Sequence, residues 1–578
     1  MKKKILPGLV IVGLLIIVLS IWGISSLIKK YSPSDEKQDL TEYFGTTSDE
    51  KWAMVVDDEI SEFQATIIDG HIYVDYNFIT NYLNSRFYWD SNENILLYAT
   101  SSDLISVNAE SHSYLVSKSS VDFGYPIVKA TSDGSLVALD FVKLYSNITY
   151  KEFENPNRIV FTTKWGKRDI ATVDSNTEIR VKGGIKSPIL DEIEKDSTVF
   201  VLEEGEDWTK VLSSNGFIGY IKNSNLSDTT SKKFKNKDYE EEEYVHIKKD
   251  GEICLGWQLL TNQSSNSNIA NVLSKNKAIN VVSPTWFSLK DNNGNISDIA
   301  SSNYVSYCHS QNIDVWGVVN NLDYAEADSA YVLTHTSTRT TLVNQIISVA
   351  IKYELDGINL DFELITEDAH GDSFVQFVRE LAIKCHNNGI ILSVDLTVPA
   401  SYNKFFNRKD MANFADYIVI MGYDEHYKGS DAGSVASLGW VEEGLKNTLD
   451  EVPADQVILG MPIYTRIWEL TPNDTDNVDV TDSEDQSNYS VSSSAYGIDS
   501  AYEIVNQAGA TPIWDDECGQ NYAEWTSGDV IYKVWLEDTS SLEKRLELVD
   551  DNKIAGAAFW KLGFENSEYW DTVIKYIN

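Results

Sequence analysis

Length and charge set the first limits on this chain. It has 578 residues, with 47 basic and 88 acidic side chains and a formal net charge of −41 at neutral pH. A chain of this length exceeds what one hydrophobic core supports, so we expect three or four folded units. So acidic a chain repels nucleic acid and anionic membrane surfaces, which excludes nucleic-acid binding and favours a secreted enzyme or binding protein that faces a neutral or cationic polymer.

The first thirty residues form an apolar segment that is flanked by lysines. Three lysines at 2–4 precede the uncharged run 5–28, and two lysines at 29–30 close it. As a helix the run would extend about 36 Å, enough to cross a hydrocarbon core of about 30 Å. A cleavable signal peptide is the alternative, but its apolar region is usually about 7–15 residues, and no A-x-A-like site follows here. We therefore predict an uncleaved membrane anchor over 1–30, with a cytoplasmic N-terminus and an extracellular remainder that faces the cell wall.

A polar linker over 31–50 leads into a region, 51–166, that contains an internal repeat. Residues 70–98 and 134–162 each contain a short apolar strand, a helix with apolar residues at i, i+3 and i+4, and two strands around a polar turn. This plan resembles the copper amine oxidase N-terminal-like domain, a repeat module of bacterial surface proteins. No histidine cluster is present, so we predict an α+β repeat domain without copper, which would serve support, spacing or weak wall binding.

The segment 167–228 predicts a small all-β domain. Short strands of alternating hydrophobicity are separated by turns, and the segment contains Trp208 and the glycine-bounded GFIGYI with Gly219 and Tyr220. The pattern resembles the bacterial SH3-like domain, a small barrel that usually binds cell-wall peptides or packs against the enzyme. An inert spacer is the alternative. A charged linker over 229–246 follows.

From residue 247 to 578, apolar runs alternate with helical stretches. We count eight runs that fit buried strands: 253–257, 278–282, 315–319, 357–362, 390–396, 417–423, 457–463 and 556–560. Eight β-α units in about 330 residues predict a parallel TIM-type (β/α)8 barrel. The acidic, Ser-rich stretch 471–494 is too polar for a barrel helix, so we expect a surface excursion there.

Cysteine and histidine spacing predicts no metal site. The four cysteines, Cys254, Cys308, Cys385 and Cys518, lie far apart without a CxxC motif, and no histidine lies at ligand spacing. One or two disulfides could form outside a cell, but we expect isolated buried thiols. We predict no structural metal and no cofactor.

The run LDGINLDFEL (355–364) contains three carboxylates within an otherwise buried strand. Charged side chains are almost never fully buried unless they have a charged or hydrogen-bonding partner or a functional role. In a strand over 357–363, the apolar side chains at 358, 360 and 362 would face the helices, while Asn359, Asp361 and Glu363 would face the barrel interior. Glu363 would then lie at the C-terminal end of its strand, where barrel enzymes hold their active sites.

Asp361 and Glu363 would lie about 6.6 Å apart along that face, because a strand rises about 3.3 Å per residue. One of two close carboxylates tends to keep its proton near neutral pH, which a general acid requires. A structural ion-pair network is the alternative, but no Lys or Arg lies nearby in the run. The run therefore predicts a catalytic carboxylate pair.

This run and three later segments resemble glycoside hydrolase family 18, the chitinase-like barrels. DGINLDFE (356–363) matches the DGxDxDxE signature, MGYDEH (421–426) matches MxYDE at strand six, GMPIYTRIW (460–468) is similar to the strand-seven segment, and FWKLGFE (559–565) supplies the strand-eight tryptophan. INVVSPTWF (279–287) and VWLEDTSSLEKR (534–545) are similar to the spore-cortex-lytic and germination branch. The resemblance covers essentially all of 247–578.

The resemblance implies a retaining mechanism in which the substrate's own 2-acetamido oxygen is the nucleophile. Glu363 would protonate the glycosidic oxygen and later activate water. Asp361 would orient the acetamido group and stabilise its developing positive charge, while Tyr423 and Asp424 would help to hold that group. Trp560 would stack beneath the sugar.

Further substrate contacts are implied by the same resemblance. They are Asp356, Met421, Tyr464, Arg466 and Trp286. Tyr464 and Arg466 could equally link strand to helix, Tyr423 could be a core residue at a strand end, and Trp560 could be ordinary barrel filling. His426 follows the YDE motif without neighbouring ligands, so we expect no metal there.

Position 359 departs from the family pattern, since Asn359 stands where most members have Asp, although the germination-like branch often shows Asn. An Asp could share a proton with Asp361, whereas an Asn can only donate or accept a hydrogen bond. We hypothesise that Asn359 keeps Asp361 ionised and thereby changes the acidic limb of the pH–rate profile.

The sequence thus predicts a membrane-anchored extracellular glycosidase that cleaves β-1,4 bonds next to N-acetylglucosamine. Peptidoglycan is favoured, because the anchor and the SH3-like segment would place the enzyme against the cell wall. A chitinase acting on chitin or chitooligosaccharides is the enzymatic alternative. A catalytically silent glycan-binding protein is the alternative of another class, but such members typically lack the acid, and Glu363 is present.

Overall fold

The chain divides into two compact units. The computed structural model describes residues 5–46, 48, 50–132, 134–473, 486–566 and 568–577, without the side chains of 5–9, 368 and 369. One unit contains the chain up to Trp89 together with Val107–Tyr114 and Val121–Glu241. The other contains Asp90–Ser106, Leu115–Ser120 and the chain from Glu242 onward. The predicted domain boundaries stay predictions.

The N-terminal helix α1 spans Ile5–Tyr31 and ends with two lysines in its last turn. Its section Val10–Tyr31 has a mean hydropathy of 2.6 and makes no buried contacts. Within the described part of the chain it is the one helix long and apolar enough to cross a membrane, and a signal sequence would have the same properties. A short helix, α2, follows at Leu40–Phe44, and the Asp39 side chain caps its first turn.

The first region follows the predicted repeat plan of strand, helix and two strands. Its elements are β1 Lys51–Val56, β2 Glu59–Ile68, β3 His71–Asp75, α3 Tyr76–Phe78 with a π-turn at Ile79–Leu83, β4 Phe87–Asp90, β5 Ile95–Ala99, β6 Leu104–Asn108, β7 Ser113–Val116, β8 Ser119–Asp122, β9 Val128–Thr131, β10 Gly134–Ala138, α4 Leu139–Leu144, β11 Thr149–Phe153 and β12 Arg158–Thr162. Seven strands form one sheet in the order β11-β12-β1-β2-β3-β10-β9, and β4 to β8 form a second sheet in chain order.

The next region is all-β, as predicted. Its strands are β13 Gly166–Thr172, β14 Thr177–Arg180, β15 Ile189–Ile193, β16 Thr198–Glu203, β17 Trp208–Leu212, β18 Ile218–Lys222 and β19 Thr230–Phe234. They form a sheet in the order β15-β14-β18-β17-β16-β13-β19. Strand β19 lies within the segment predicted to be a linker. That prediction was wrong there because β19 is an edge strand with mostly exposed, polar side chains, and such a strand carries no apolar alternation.

The predicted parallel (β/α)8 barrel is confirmed. Its eight strands are β20 Ile253–Gln258, β21 Val281–Ser288, β22 Asp314–Asn320, β23 Gly357–Asp361, β24 Ile391–Thr397, β25 Tyr417–Met421, β26 Val457–Pro462 and β32 Gly556–Trp560. They close in that order through parallel pairs. All eight predicted runs are strands, although the second begins at Val281, three residues later than predicted.

Helices follow the barrel strands along the chain. They are α5 Ile269–Leu273, α6 Ser302–Ser310, α7 Ser329–Thr334, α8 Thr336–Tyr353, α9 Glu367–His386, α10 Arg408–Phe414, α11 Leu438–Leu449, α13 Thr539–Asn552 and α14 Tyr569–Val573. Short 3₁₀ turns occur at Gln263–Asn268, Ser401–Phe406, Ala454–Gln456 and Gln486–Asn488. An outer core fills the space between strands and helices, and a smaller inner core fills the barrel.

An additional sheet is inserted between β26 and α13. It contains β27 Tyr464–Pro472, β28 Tyr489–Gly497, α12 Ile498–Ala508, β29 Ile513–Asp515, β30 Gln520–Ser527 and β31 Val530–Leu536. The strands are ordered β28-β27-β31-β30-β29. The stretch predicted to be a surface excursion, 471–494, contributes the end of β27 and most of β28, and its residues 474–485 lie outside the described part.

The turn between β4 and β5 caps a barrel helix. Helix α8 has no side-chain cap from its own N-cap residue, His335. Asp90 Oδ2 instead accepts hydrogen bonds from the backbone N–H and the hydroxyl of Thr336, both at 2.6 Å, and Glu93 Oε2 accepts one from the Ser337 N–H at 2.9 Å. All four residues belong to the unit that contains the barrel. Two carboxylates thus satisfy free N–H groups and complement the positive end of the helix dipole.

Replacing Asp90 with alanine is expected to lower the free energy of unfolding of this unit by about 1–2 kcal/mol, because it removes the cap and one carboxylate from the helix terminus. Denaturant unfolding followed by tryptophan fluorescence measures the change. Asp551→Asn, an exposed acid near the end of α13, is the matched control and should leave stability unaltered. Equal stability of the two variants would contradict this capping role.

Candidate active site

Strand β23 carries the predicted carboxylates with the predicted orientation. Ile358, Leu360 and Phe362 are buried in the outer core against the helices. Asn359 and Asp361 alternate with them and therefore face the barrel interior. Glu363 follows the strand's last residue and is exposed at the C-terminal mouth of the barrel. The predicted faces of this strand are confirmed.

Asn359 lies at the centre of a buried polar network. Its Oδ1 accepts hydrogen bonds from Trp257 Nε1 at 2.8 Å and Ser283 Oγ at 3.0 Å. Its Nδ2 donates to Ser393 Oγ at 3.0 Å and to Asp395 Oδ1 at 2.6 Å. The amide is completely buried, and both of its ends are satisfied. Asn359 therefore links strands β20, β21, β23 and β24 beneath the mouth.

Asp395 is a third acid of this site that the sequence reasoning missed. It lies on β24, inside the apolar run 390–396, and it is almost fully buried. Asn359 pairs with Ser393 in the register of β23 and β24, so Asp361 and Asp395 lie at the same level of the barrel. The sequence signal for Asp395 is an acid within the apolar run 390–396, the same signal that Asp361 gives in β23.

Burial and mutual repulsion raise the pKa values of these acids. Loss of hydration raises the pKa of Asp361 to about 8, and the charge of Glu363 adds to this rise. Burial raises the pKa of Asp395 well above its usual range, and the charge of Asp361 raises it further. Loss of water around the Glu363 carboxyl raises its pKa, and the charge of Asp424 contributes. A raised pKa favours the protonated form of Glu363, which is the form that general acid catalysis needs.

The hypothesis that Asn359 keeps Asp361 ionised was wrong. Asn359 directs its donor to Asp395, not to Asp361. Asp361 has a raised pKa, and its Oδ1 is buried without a hydrogen-bond partner among the described residues. Asn359 therefore satisfies one acid of the cluster and leaves the other without a neutralising partner.

Tyr423 and Asp424 follow β25 and belong to one contact group with the start of β27. The Tyr464 hydroxyl donates to Asp424 Oδ1, and Arg466 Nη2 lies 3.7 Å from the same oxygen. The rings of Tyr423 and Tyr464 meet edge to face with centroids 6.4 Å apart. Tyr464 and Arg466 thus begin the inserted sheet and hold Asp424, so they do not link strand seven directly to a helix.

Aromatic rings line the barrel beneath its mouth. Trp560, the last residue of β32, is half-buried, and its ring centroid lies 6.1 Å from that of Trp257. Trp257 also meets Tyr423 edge to face at 6.3 Å. Met421, the last residue of β25, is half-buried. Trp560 and Tyr423 pack against the inner core while keeping exposed surface, which suits a wall that contacts a sugar.

Asp356 does not lie at this site. It precedes β23, at the opposite end of the barrel from Glu363. Its Oδ2 accepts a hydrogen bond from the backbone N–H of Val315 at 2.8 Å and contacts His309 Nε2 at 2.8 Å. The predicted substrate contact was wrong, because a residue before a parallel strand lies at the N-terminal face. Asp356 instead connects β22 to β23.

Trp286 also lies elsewhere. It is buried in the outer core, where its ring packs edge to face against Tyr304 at 4.9 Å. Its Nε1 donates to Asn266 Oδ1 at 2.8 Å. Because 1% of its surface is exposed, no face of the ring is open to a sugar. The predicted substrate contact was wrong, and Trp286 packs β21 against α6.

The four cysteines are free thiols, and all lie in the described part of the chain. Cys254, Cys308 and Cys385 are buried, and Cys518 is half-buried. Burial raises the pKa of Cys308 to about 12, and the charge of Asp356 adds to the rise. The expectation of isolated buried thiols stays a prediction, and protonated buried thiols are poor nucleophiles.

Comparison with known proteins agrees with this geometry. The model of Glycosyl hydrolases family 18 matches residues 261–565, and the model of the Bacterial SH3 domain matches residues 175–227. The resemblance of 51–166 to the copper amine oxidase N-terminal-like domain stays a prediction.

Two curated relatives come from Bacillus subtilis (strain 168). The uncharacterized glycosylase YvbX is 23% identical over 301 residues, which cover 49% of this chain and 81% of that protein. The cortical fragment-lytic enzyme is 23% identical over 290 residues, which cover 48% of this chain and 63% of that enzyme. The chain thus spans less than two thirds of the second relative.

Among solved structures, the C-terminal domain of a chitinase candidate from Desulfitobacterium hafniense DCB-2 matches with a TM-score of 0.50 and 19% identity, covering 57% of this chain and 98% of that domain. At this identity the likeness establishes the barrel fold. The family match extends over more than half of the chain and includes the strand that carries Asp361 and Glu363. The chain therefore belongs to glycoside hydrolase family 18 and is a glycoside hydrolase.

Proposed function

We propose that this protein hydrolyses β-1,4 bonds next to N-acetylglucosamine in peptidoglycan, by a substrate-assisted retaining mechanism. The observation that carries the proposal is the pair formed by Glu363 at the barrel mouth and Asp361 below it. Glu363 has a raised pKa and is exposed to an incoming glycan. Asp361 has a buried carboxyl oxygen without a partner among the described residues, which is free to receive a substrate group.

In the first step, Glu363 donates its proton to the glycosidic oxygen as the bond from that oxygen to the anomeric carbon breaks. The oxygen of the substrate's 2-acetamido group attacks the same carbon and forms an oxazolinium ion. Asp361 accepts a hydrogen bond from the acetamido N–H at its unpartnered Oδ1. The developing positive charge lowers the raised pKa of Asp361 and favours its carboxylate form, which stabilises the ion. Glu363, now a carboxylate, then takes a proton from water, whose oxygen opens the oxazolinium and restores the acetamido group.

The neighbouring residues would hold the acetamido group and the sugar ring. Tyr423 and Asp424 follow β25 at the same mouth, and Tyr464 and Arg466 fix Asp424 from β27. Trp560 offers a half-buried aromatic face beneath the sugar, and Met421 is half-buried at the end of β25. Apolar sugar faces pack well against such rings, which hold the sugar without competing for its hydroxyl groups.

Location supports a cell-wall polymer over free chitin. The apolar helix α1 would anchor the protein with its N-terminus in the cytoplasm, so that the acidic remainder faces the wall. The domains would then be the anchor over 1–30, a linker over 31–50, the repeat domain over 51–166, the SH3-like domain over 167–228 and the glycosidase over 247–578. The SH3-like match favours a wall peptide as the second contact.

Digestion of purified peptidoglycan and of N-acetylated chitin oligomers by the full chain in detergent tests the proposal, beside Glu363→Gln. Products are reduced with borohydride and their reducing ends are identified by mass. We expect N-acetylglucosamine at the new reducing ends of peptidoglycan fragments and no products from the variant.

The other outcomes are distinct. Cleavage of chitin oligomers without cleavage of peptidoglycan would make the protein a chitinase. Binding of either polymer without cleavage by the unmodified chain would make it a silent glycan-binding protein. Initial release of the α-anomer by NMR would refute retention of configuration and, with it, the role assigned to the acetamido oxygen.

A further inference from the structure

We propose that Asn321 is the positioning residue that aims Glu363 at the glycosidic oxygen. The inference rests on the proposed role of Glu363 as the acid. Asn321 is the first residue after β22, and its side chain holds the backbone of the segment that carries Glu363. It was not among the residues singled out from the sequence.

The hydrogen bonds of Asn321 lie just beyond the end of the backbone pairing between β22 and β23. The pairing of β22 and β23 extends to Asn320 and Asp361. Just beyond it, Asn321 Oδ1 accepts a hydrogen bond from the Glu363 N–H at 3.0 Å and from the Leu364 N–H at 3.3 Å. A side-chain carbonyl thus continues the backbone pairing past the end of the strand, at the residue whose direction matters for proton transfer.

Asn321 is itself held in place. Its Nδ2 donates to Ser329 Oγ at 3.0 Å and to the Leu364 carbonyl at 3.4 Å, and 4% of the residue is exposed. Ser329 is the first residue of α7 and is also buried. Only an amide accepts two N–H groups at one end and donates to two oxygens at the other. An Asp would lose both donors and would add a negative charge beside Glu363.

The backbone is the main restraint on Glu363. Among the described residues, no protein group forms a hydrogen bond with the Glu363 carboxyl, and the side chain is exposed at the mouth. Its position therefore depends on where the chain directs its Cα–Cβ bond. A catalytic group displaced by about 1 Å loses about 10²-fold in rate, so a defined backbone here has a direct catalytic effect.

The test compares two aryl glycosides of N,N′-diacetylchitobiose that differ in leaving group. Phenolate leaves well only when an acid protonates it, whereas dinitrophenolate leaves without that help. For Asn321→Ala we expect kcat/KM on the phenyl glycoside to fall by about 10- to 100-fold, while kcat/KM on the dinitrophenyl glycoside falls less than about threefold. A purely structural role would lower both rates together and leave their ratio unchanged.

Asn266→Ala is the matched control. Asn266 is an equally buried amide, 5% exposed, which donates to the Gln263 and Ile299 carbonyls and accepts from Trp286 Nε1, and it makes no hydrogen bond to the segment that carries Glu363. Its loss should leave the leaving-group ratio unaltered even where thermal stability falls. Should Asn321→Ala fail to fold, Asn321→Asp keeps the acceptor and replaces it as the test variant. The added charge disfavours ionisation of Glu363, so the basic limb of the pH profile should move to higher pH.

The two proposals fail separately. Full activity of Glu363→Gln on the phenyl glycoside would overturn the proposed function. An inactive Glu363→Gln variant together with an unchanged leaving-group ratio in Asn321→Ala would overturn only the positioning role. An unmoved basic limb in a folded Asn321→Asp variant would overturn it as well.

Discussion

Replacing Glu363 with glutamine is expected to lower kcat/KM on N-acetylated glycans by about 10²- to 10⁴-fold, the range that a general acid contributes. Glutamine has the same shape but holds no ionisable proton. The side chain is exposed at the barrel mouth and the described protein forms no hydrogen bond with its carboxyl, so the substitution breaks no contact. Because the folded state raises the pKa of Glu363, stability at neutral pH should be unchanged or higher in the variant. Steady-state rates and thermal unfolding of the same preparations measure both effects.

The pH dependence of the unmodified chain gives a second view of this acid. Loss of hydration and the charge of Asp424 raise the pKa of Glu363, so it stays protonated to higher pH than an ordinary glutamate. An ordinary glutamate has a pKa of about 4.3. The basic limb of the kcat/KM profile should therefore lie at a higher pH than this value. Glu442→Gln, an exposed glutamate on α11, serves as the control and should keep both the rate and the limb. Cleavage at full rate by Glu363→Gln would remove the acid from the mechanism.

Replacing Asp361 with asparagine is expected to have opposite effects on activity and stability. Activity should fall by about 10²- to 10³-fold, as it does when one electrostatic contact to a developing charge is removed. Stability at pH 8 should rise by roughly 2–5 kcal/mol, because burial of the carboxyl is unfavourable for its charged form. Asparagine has the same shape and carries no charge into that site.

The pH range over which Asp361→Asn changes stability follows from the direction of the pKa shift of Asp361. Burial raises the pKa of Asp361 to about 8, whereas in the unfolded chain it ionises near 3.9. Between these values the folded state binds more protons than the unfolded state, so the unmodified chain loses stability as the pH rises. The advantage of Asp361→Asn should be small at pH 4, grow up to about pH 8 and stay constant above it.

Thermal unfolding of both proteins from pH 4 to pH 9 measures this difference. Asp551→Asn, which changes an exposed acid, should track the unmodified chain at every pH. An Asp361→Asn variant with a constant stability difference across this range would show that the carboxyl is ionised in the folded protein.

The sequence by itself determined the barrel and the strand that carries the acids. Strands β20 to β26 and β32 are short apolar runs between helical stretches, a pattern that depends only on neighbouring residues. The same local alternation placed Ile358 and Leu360 outside and Asp361 inside, and it put Glu363 at the strand end. Such features are readable because side-chain direction in a strand follows position alone.

Only the tertiary structure decided what these residues contact. Asn359 bonds Asp395 from a strand that begins 32 residues later in the chain, and that choice is set by the register of β23 and β24. Asp356 shares the sequence motif of Glu363 but lies at the other end of the strand. Trp286 ends in the outer core. Partners depend on which strands become neighbours and at which level, and a single sequence does not encode that in any local pattern.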